Sequence, residues 1–234
     1  MNDEVIKQTL RRVEEHKKRI DFDTLGRTLA YSPFVSRVNR DFFVRQAQPK
    51  IAYHCVISPQ AFFQAPESHL YEAHQKEQHY HFDAYMLDLW SAFLDCDDSQ
   101  KIYENLLGAN LLESISLLRR HSTLPIIHSD IFLESYQILE SALFGADALM
   151  LPAQTLTAKE LQAILDFAYK LELAVFVWVN EPSELKKAIF SGANMLFVKS
   201  EDIDSLLPLI PHSQIIASDI VNDYGVDLQI KMFD

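Results

Sequence analysis

Apolar residues gather in short runs, and the stretches between them carry helical periodicity. Four runs are Lys50-Ile-Ala-Tyr-His-Cys-Val56, Leu124-Pro-Ile-Ile-His128, Leu173-Ala-Val-Phe-Val-Trp-Val179 and Gln214-Ile-Ile-Ala217. Between them stands a recurring pattern: Gly145-Ala-Asp-Ala-Leu-Met-Leu151, Gly192-Ala-Asn-Met-Leu-Phe-Val198 and Gly225-Val-Asp-Leu-Gln-Ile-Lys231. Each copy has a glycine suited to the position after a helix, where φ turns positive, followed by a strand. Phe82-Asp-Ala-Tyr-Met-Leu-Asp88 repeats the pattern without the glycine. Continuous apolar runs of this length suit strands covered on both faces, as in a parallel sheet.

Helical segments separate these runs at Glu134–Phe144, Thr157–Leu171 and Glu181–Phe190, and a leading helix is expected over Glu4–Arg19. Thr157 and Glu160 have the spacing of a capping box, and Pro182 suits a first helical turn, where its missing N–H costs nothing. Alternation of strands and helices predicts an α/β fold, a (β/α)8 TIM barrel preceded by an extra N-terminal helix. The C-terminal end departs from that plan. Only about seven residues lie between Ala217 and Gly225, fewer than the ~10–12 a helical crossover needs. A short or absent seventh barrel helix and no eighth helix are therefore expected. Bare apolar wall would then invite a homodimer, another protein partner or the leading helix itself to cover it.

Composition narrows the partners. The 234 residues carry a formal net charge of −12, which disfavours nucleic acid and anionic membrane surfaces. No apolar run approaches the ~20 residues of a membrane span, and the N-terminus lacks a signal-peptide layout, so a cytoplasmic protein is expected. Five glycines, about 2% against an ordinary ~7%, leave few positions where backbone could approach a phosphate closely.

The stretch Leu124–Pro152 closely resembles the strand–helix–strand segment of the indole-3-glycerol phosphate synthase family, whose barrel closes the indole ring in tryptophan biosynthesis. Ser58-Pro59, the leading helix and Asn39-Arg-Asp-Phe-Phe43 are similar to family features as well. The resemblance implies an N-terminal helical extension, residues 1–48, packed on a barrel formed by 49–234. It also shows what has changed. Where the family reads Ala-Glu-Ile-Lys on the first strand, its catalytic Glu corresponds to Tyr53 and its substrate-binding Lys to Cys55; Ser58 is kept. The catalytic Lys of the third strand becomes Ser129, and the Glu of the fifth becomes Trp178. Further substrate-binding positions correspond to Ser200, Ser218 and Asp219, and the phosphate-holding Val-Gly-Glu of the eighth strand becomes Lys231-Met232-Phe233.

Three readings follow. The first is a catalytically degenerate member with a binding, regulatory or structural role. Tyr53, Trp178 and Phe233 would fill its mouth, as plugs or as walls for a small, flat ligand. The second is an active synthase with relocated chemistry, Lys199 or Lys231 serving as acid and Asp88 or Asp130 as base. The third is a Schiff-base aldolase using Lys199, which ends the sixth strand. Against the third stands the plainer role of Lys199 as a rim lysine facing Glu201 or Asp202.

No cofactor and no metal are expected. His69, His74, His79 and His81 fall in a polar stretch, and His79-Tyr-His81 would share a face only on a strand. Asp95-Cys-Asp-Asp98 is read as a solvated loop, and Cys55 and Cys96 as too few for a disulfide framework.

Overall fold

The structure is a computed structural model, and it describes residues 3–57, 66–90, 111–222 and 224–233. Ser58, His69 and the Asp95–Asp98 run, with Cys96, fall outside the backbone or side chains described. Eight parallel strands close in sequence order into a barrel. They are β1 (Lys50–Val56), β2 (Ala84–Asp88), β3 (Ile126–Ser129), β4 (Ala148–Pro152), β5 (Ala174–Val179), β6 (Met195–Val198), β7 (Ile215–Ser218) and β8 (Leu228–Lys231).

Two helices precede the barrel, α1 (Asp3–Arg19) and α2 (Phe22–Leu29); the second was not anticipated. Asp21 caps α2 by accepting the Thr24 N–H at 2.9 Å, a turn that also separates it from α1. The helices after β1 to β6 are α3 (Pro66–His79), α4 (Glu113–His121), α5 (Ser135–Phe144), α6 (Ala158–Lys170), α7 (Pro182–Phe190) and the single turn α8 (Ile203–Leu206). Among the described residues no helix links β7 to β8, and only Met232 and Phe233 follow β8. His79 ends α3 and His81 lies in the loop beyond it, so the two do not share a strand face.

The recurring glycines have the conformation their pattern demands, with φ of 98° at Gly145, 93° at Gly192 and 82° at Gly225. Gly145 is the most constrained: a Cβ there would lie 2.7 Å from the Arg119 side chain and 3.0 Å from Phe34. Gly225 differs from the expectation in following a loop rather than a helix. The capping box of Thr157 and Glu160 forms at the start of α6.

Two layers of core follow from strand alternation. Inside the barrel pack Ala52, Ala84, Met86, Ile127, Ala148, Met150, Phe176, Met195, Phe197, Ala217, Leu228 and Ile230, closed from below by Phe43. Outside, Tyr85, Leu87, Ile126, Leu149, Val175, Val177 and Leu196 meet the helices.

The N-terminal helices do not cover the outer wall at β8. They dock on the β3–α5 side through ion pairs Arg12–Asp130, Lys17–Glu134 and His16–Glu140, with Val13 and Leu25 buried against Tyr136 and Leu139. The wall at β8 is also less apolar than expected. Leu228 and Ile230 face inward, which turns Gln229 and Lys231 out. Phe233 folds back over the outer face of β1, 5.6 Å from Tyr53 and stacked on Tyr80 at 4.6 Å. Lys76 donates to the Phe233 carbonyl and ties this cover to α3.

The junction between extension and barrel is polar and buried. Asp147, fully buried, accepts from Arg37 Nη2 at 2.6 Å, Arg119 Nη1 at 2.8 Å and the Ile126 N–H at 2.9 Å. One carboxylate thus joins the segment before β1, the helix α4 and the starts of β3 and β4.

Candidate functional site

Barrel chemistry is built where strands end at their C-terminal face. Here the inward residues nearest that face include His54 on β1, Asp88 on β2, Ser129 on β3, Trp178 on β5 and Phe197 on β6. His54 Nε2 lies 3.1 Å from Asp88 Oδ2. The other Asp88 oxygen accepts the Trp90 N–H at 3.1 Å, which fixes the carboxylate's orientation. Trp90 then bends across the opening and donates its indole N–H to Ser129 Oγ at 3.3 Å. Its ring meets Trp178 at 5.8 Å, and Trp178 meets the edge of Phe197 at 5.6 Å. Lys199 holds its ammonium 5.0 Å above the Trp178 ring. The Trp178 indole N–H is buried without a hydrogen-bond partner.

Tyr53 and Cys55 are not at this mouth. Strand β1 presents Ala52 inward, so Tyr53 and Cys55 point outward among Tyr85, Phe82 and Phe233. Burial pushes the Tyr53 phenol up to about 12 and the Cys55 thiol up to about 11, so both stay neutral and unreactive near pH 7. The inward positions of β1 are Lys50, Ala52, His54 and Val56, one residue out of step with the sequence correspondence, and the two nearest the mouth, His54 and Val56, are neither a carboxylate nor a lysine. Phe233 likewise covers the outside of β1 and not the mouth.

Ser129 and Trp178 do face inward, and the Trp90–Ser129 and Trp90–Trp178 contacts bring them together. Ser218 is buried, with its hydroxyl turned back to accept the Ile220 N–H at 3.2 Å. Asp219 Oδ1 accepts the Ser200 N–H at 2.6 Å. A backbone donor at the rim, of the kind that could hold an anion, is therefore already bound to one of the chain's own carboxylates. Lys199 remains 38% exposed with Glu201 at 3.7 Å, as a solvated rim lysine would. Lys231 faces outward, and Asp130 is engaged by Arg12 and by the Ile131 N–H at 2.7 Å.

His54 and Trp90 escaped the sequence reading. The available signal was a polar residue interrupting an apolar strand; period-two alternation from Ala52 would have set His54 on the inner face with Asp88.

The chain is similar in sequence to one set of known proteins and in fold to another. The family model described as Indole-3-glycerol phosphate synthase matches residues 109–223. Indole-3-glycerol phosphate synthase of Campylobacter concisus is 29% identical over 227 residues, covering 93% of this chain and 82% of the relative. The synthase of Sulfurimonas denitrificans is 26% identical over 228 residues, again covering 93% and 82%. Among solved structures, KGPDC from Streptococcus mutans superposes with a TM-score of 0.55 at 10% identity, covering 79% of this chain and 88% of that one. The tryptophan synthase complex from Pyrococcus furiosus gives 0.55 at 13% identity, covering 78% and 86%. The structural likenesses show the barrel alone, whereas the sequence matches cover 93% of the chain. Together, the family model and relatives matched over 93% of the chain support membership of the indole-3-glycerol phosphate synthase family.

Proposed function

We propose that this barrel has lost the family's ring-closing chemistry and persists as a binding protein. The observation that carries this reading is the Trp90–Ser129 contact. At the position that resembles the family's catalytic lysine, a small hydroxyl is covered by an indole. Ring closure needs a cationic acid and a carboxylate able to take and return protons. Removing one such electrostatic group commonly costs about 10²–10³ in rate. The inward ends of β1, β3 and β5 carry His54, Ser129 and Trp178, and no Lys–Glu set among them. Asp219, bound to the Ser200 N–H, adds repulsion where a substrate phosphate would approach. The aromatic walls of Trp90, Trp178 and Phe197 suit a small, flat ligand, and the expected setting is the cytoplasm. No described helix is long and apolar enough to cross a membrane.

A strain lacking its own synthase tests this reading. Expressed there, the protein should not restore growth without tryptophan; growth at the rate given by an active relative would sink the proposal.

The His54–Asp88 pair favours one competing reading, relocated acid–base chemistry. A histidine held by a carboxylate is a recurring proton-transfer unit. If that reading holds, the growth restored would vanish on His54→Ala while the fold persists. The aldolase reading has less support, because Lys199 is neither buried nor removed from its acidic neighbour.

A further inference from the structure

The opposite end of the barrel carries a second candidate site. Between the segment preceding β1, the loop after α6 and the start of β6 lies an open groove of about 740 Å³. Ligand pockets commonly span ~300–1,000 Å³, so the size suits a small metabolite. Arg40, Asn39, Phe42, Tyr169, Glu172 and Asn194 are among its walls.

Charge is distributed unevenly there. Residues 36–50 hold four basic side chains, Arg37, Arg40, Arg45 and Lys50, against one acid, Asp41, in a chain of net charge −12. Arg37 is committed to Asp147, and Lys50 lies 3.8 Å from Asp83. Arg40 is different. Its Nη2 donates to the Ser213 carbonyl at 2.6 Å, and its Nε is buried with no partner. Among the described residues it meets no carboxylate. A guanidinium offers five donors in a planar fork, and a buried one left unused is costly unless something else accepts it.

Glu172, in the same groove, likewise has no ion pair or side-chain hydrogen bond among the described residues. Its side chain is exposed, and its φ of 60° is that of the left-handed residue ending α6, where the Leu173 N–H donates to the Ala168 carbonyl at 3.1 Å and the Glu172 N–H to the Tyr169 carbonyl at 3.0 Å. Arg40 and Glu172 do not pair with each other. An unpaired cation and an unpaired anion in one groove, with Phe42 and Tyr169 supplying apolar surface, complement a molecule bearing both charges and an apolar body.

We infer that this groove binds a zwitterionic α-amino acid with an apolar side chain. Its carboxylate would meet Arg40 and its ammonium Glu172, at the end of the barrel away from the mouth. The inference is independent of the mouth's chemistry.

Isothermal titration calorimetry of the intact protein with L-phenylalanine tests it, beside 3-phenylpropionate, which lacks the ammonium, and phenethylamine, which lacks the carboxylate. L-phenylalanine should bind, and each charge-deleted analogue should bind at least about tenfold more weakly. Arg40→Gln and Glu172→Gln should each weaken L-phenylalanine by a similar factor. Amide NMR shifts should centre on Asn39, Tyr169 and Asn194. If Arg40→Gln fails to fold, Glu172→Gln carries the test. Absence of binding, equal binding of the analogues, or affinity untouched by Glu172→Gln would overturn the inference.

Discussion

The indole N–H of Trp90 rests on Ser129 Oγ at 3.3 Å, and this contact joins the ends of β2 and β3 across the barrel mouth. It is a substitution of one physical arrangement for another. A lysine at Ser129 would need space and a counter-charge, and the site now supplies an aromatic lid.

Ser129→Lys alone should therefore not revive a synthase. Ser129 is 3% exposed, and an ammonium placed there must be desolvated or displace Trp90. The expected cost is about 2–3 kcal/mol of stability, read from urea unfolding, with no gain in turnover. A stable variant with measurable ring closure would contradict the account of the mouth.

Asp147 should matter more to folding than any mouth residue. It is fully buried and accepts from both Arg37 and Arg119. Asp147→Ala leaves two guanidinium groups without their shared anion, and a loss of about 3–5 kcal/mol is expected in the same assay. A change below about 1 kcal/mol would show that the junction is not a structural hub.

His128 gives the fold an acid limb. Burial lowers its imidazole from 6.5 to about 4, with Asp130 nearby opposing that shift. Its Nδ1 meets Ser141 Oγ at 2.9 Å, and its Nε2 is buried without a hydrogen bond. The unfolded chain binds this proton near pH 6.5 and the folded chain only near pH 4, so in that window the unfolded state holds more protons. Stability contributed by neutral His128 is present above pH 6.5 and lost as pH falls toward 4, by an amount on the order of 3 kcal/mol. His128→Gln should flatten that slope in urea titrations at several pH values; an unchanged slope would assign it to other groups.

Lys199 should resist covalent trapping. With its side chain 38% exposed and Glu201 at 3.7 Å, it lacks the desolvation that makes a lysine nucleophilic. Borohydride with a small aldehyde should leave this site unlabelled in peptide mass spectra. Selective, stoichiometric labelling of Lys199 would reopen the aldolase reading.

Much of this architecture was legible in the residues, and the reason is local. Gly145 and Gly192 mark helix ends because only a positive φ fits there, and the strands after them are apolar on both faces because helices and barrel interior cover both. The short connection from Ala217 to Gly225 left room for at most a short helix between β7 and β8, and among the described residues there is none. The site was less legible because it depends on which face of β1 points inward. A shift of one residue exchanges Tyr53 and Cys55 for Ala52 and His54. The destination of Phe233, the docking of α1 on α5 rather than beside β8, and the pairing of Asp219 with the Ser200 N–H all depend on contacts between distant segments. No local pattern encodes those.

The most direct measurement is turnover of carboxyphenylamino-deoxyribulose phosphate by the purified protein, followed as growth of indole fluorescence beside an active family member. The account predicts no product above the uncatalysed background, with the protein shown folded by circular dichroism. Product at a rate within about a hundredfold of the active relative would contradict it, since loss of even one electrostatic catalytic group costs at least that much.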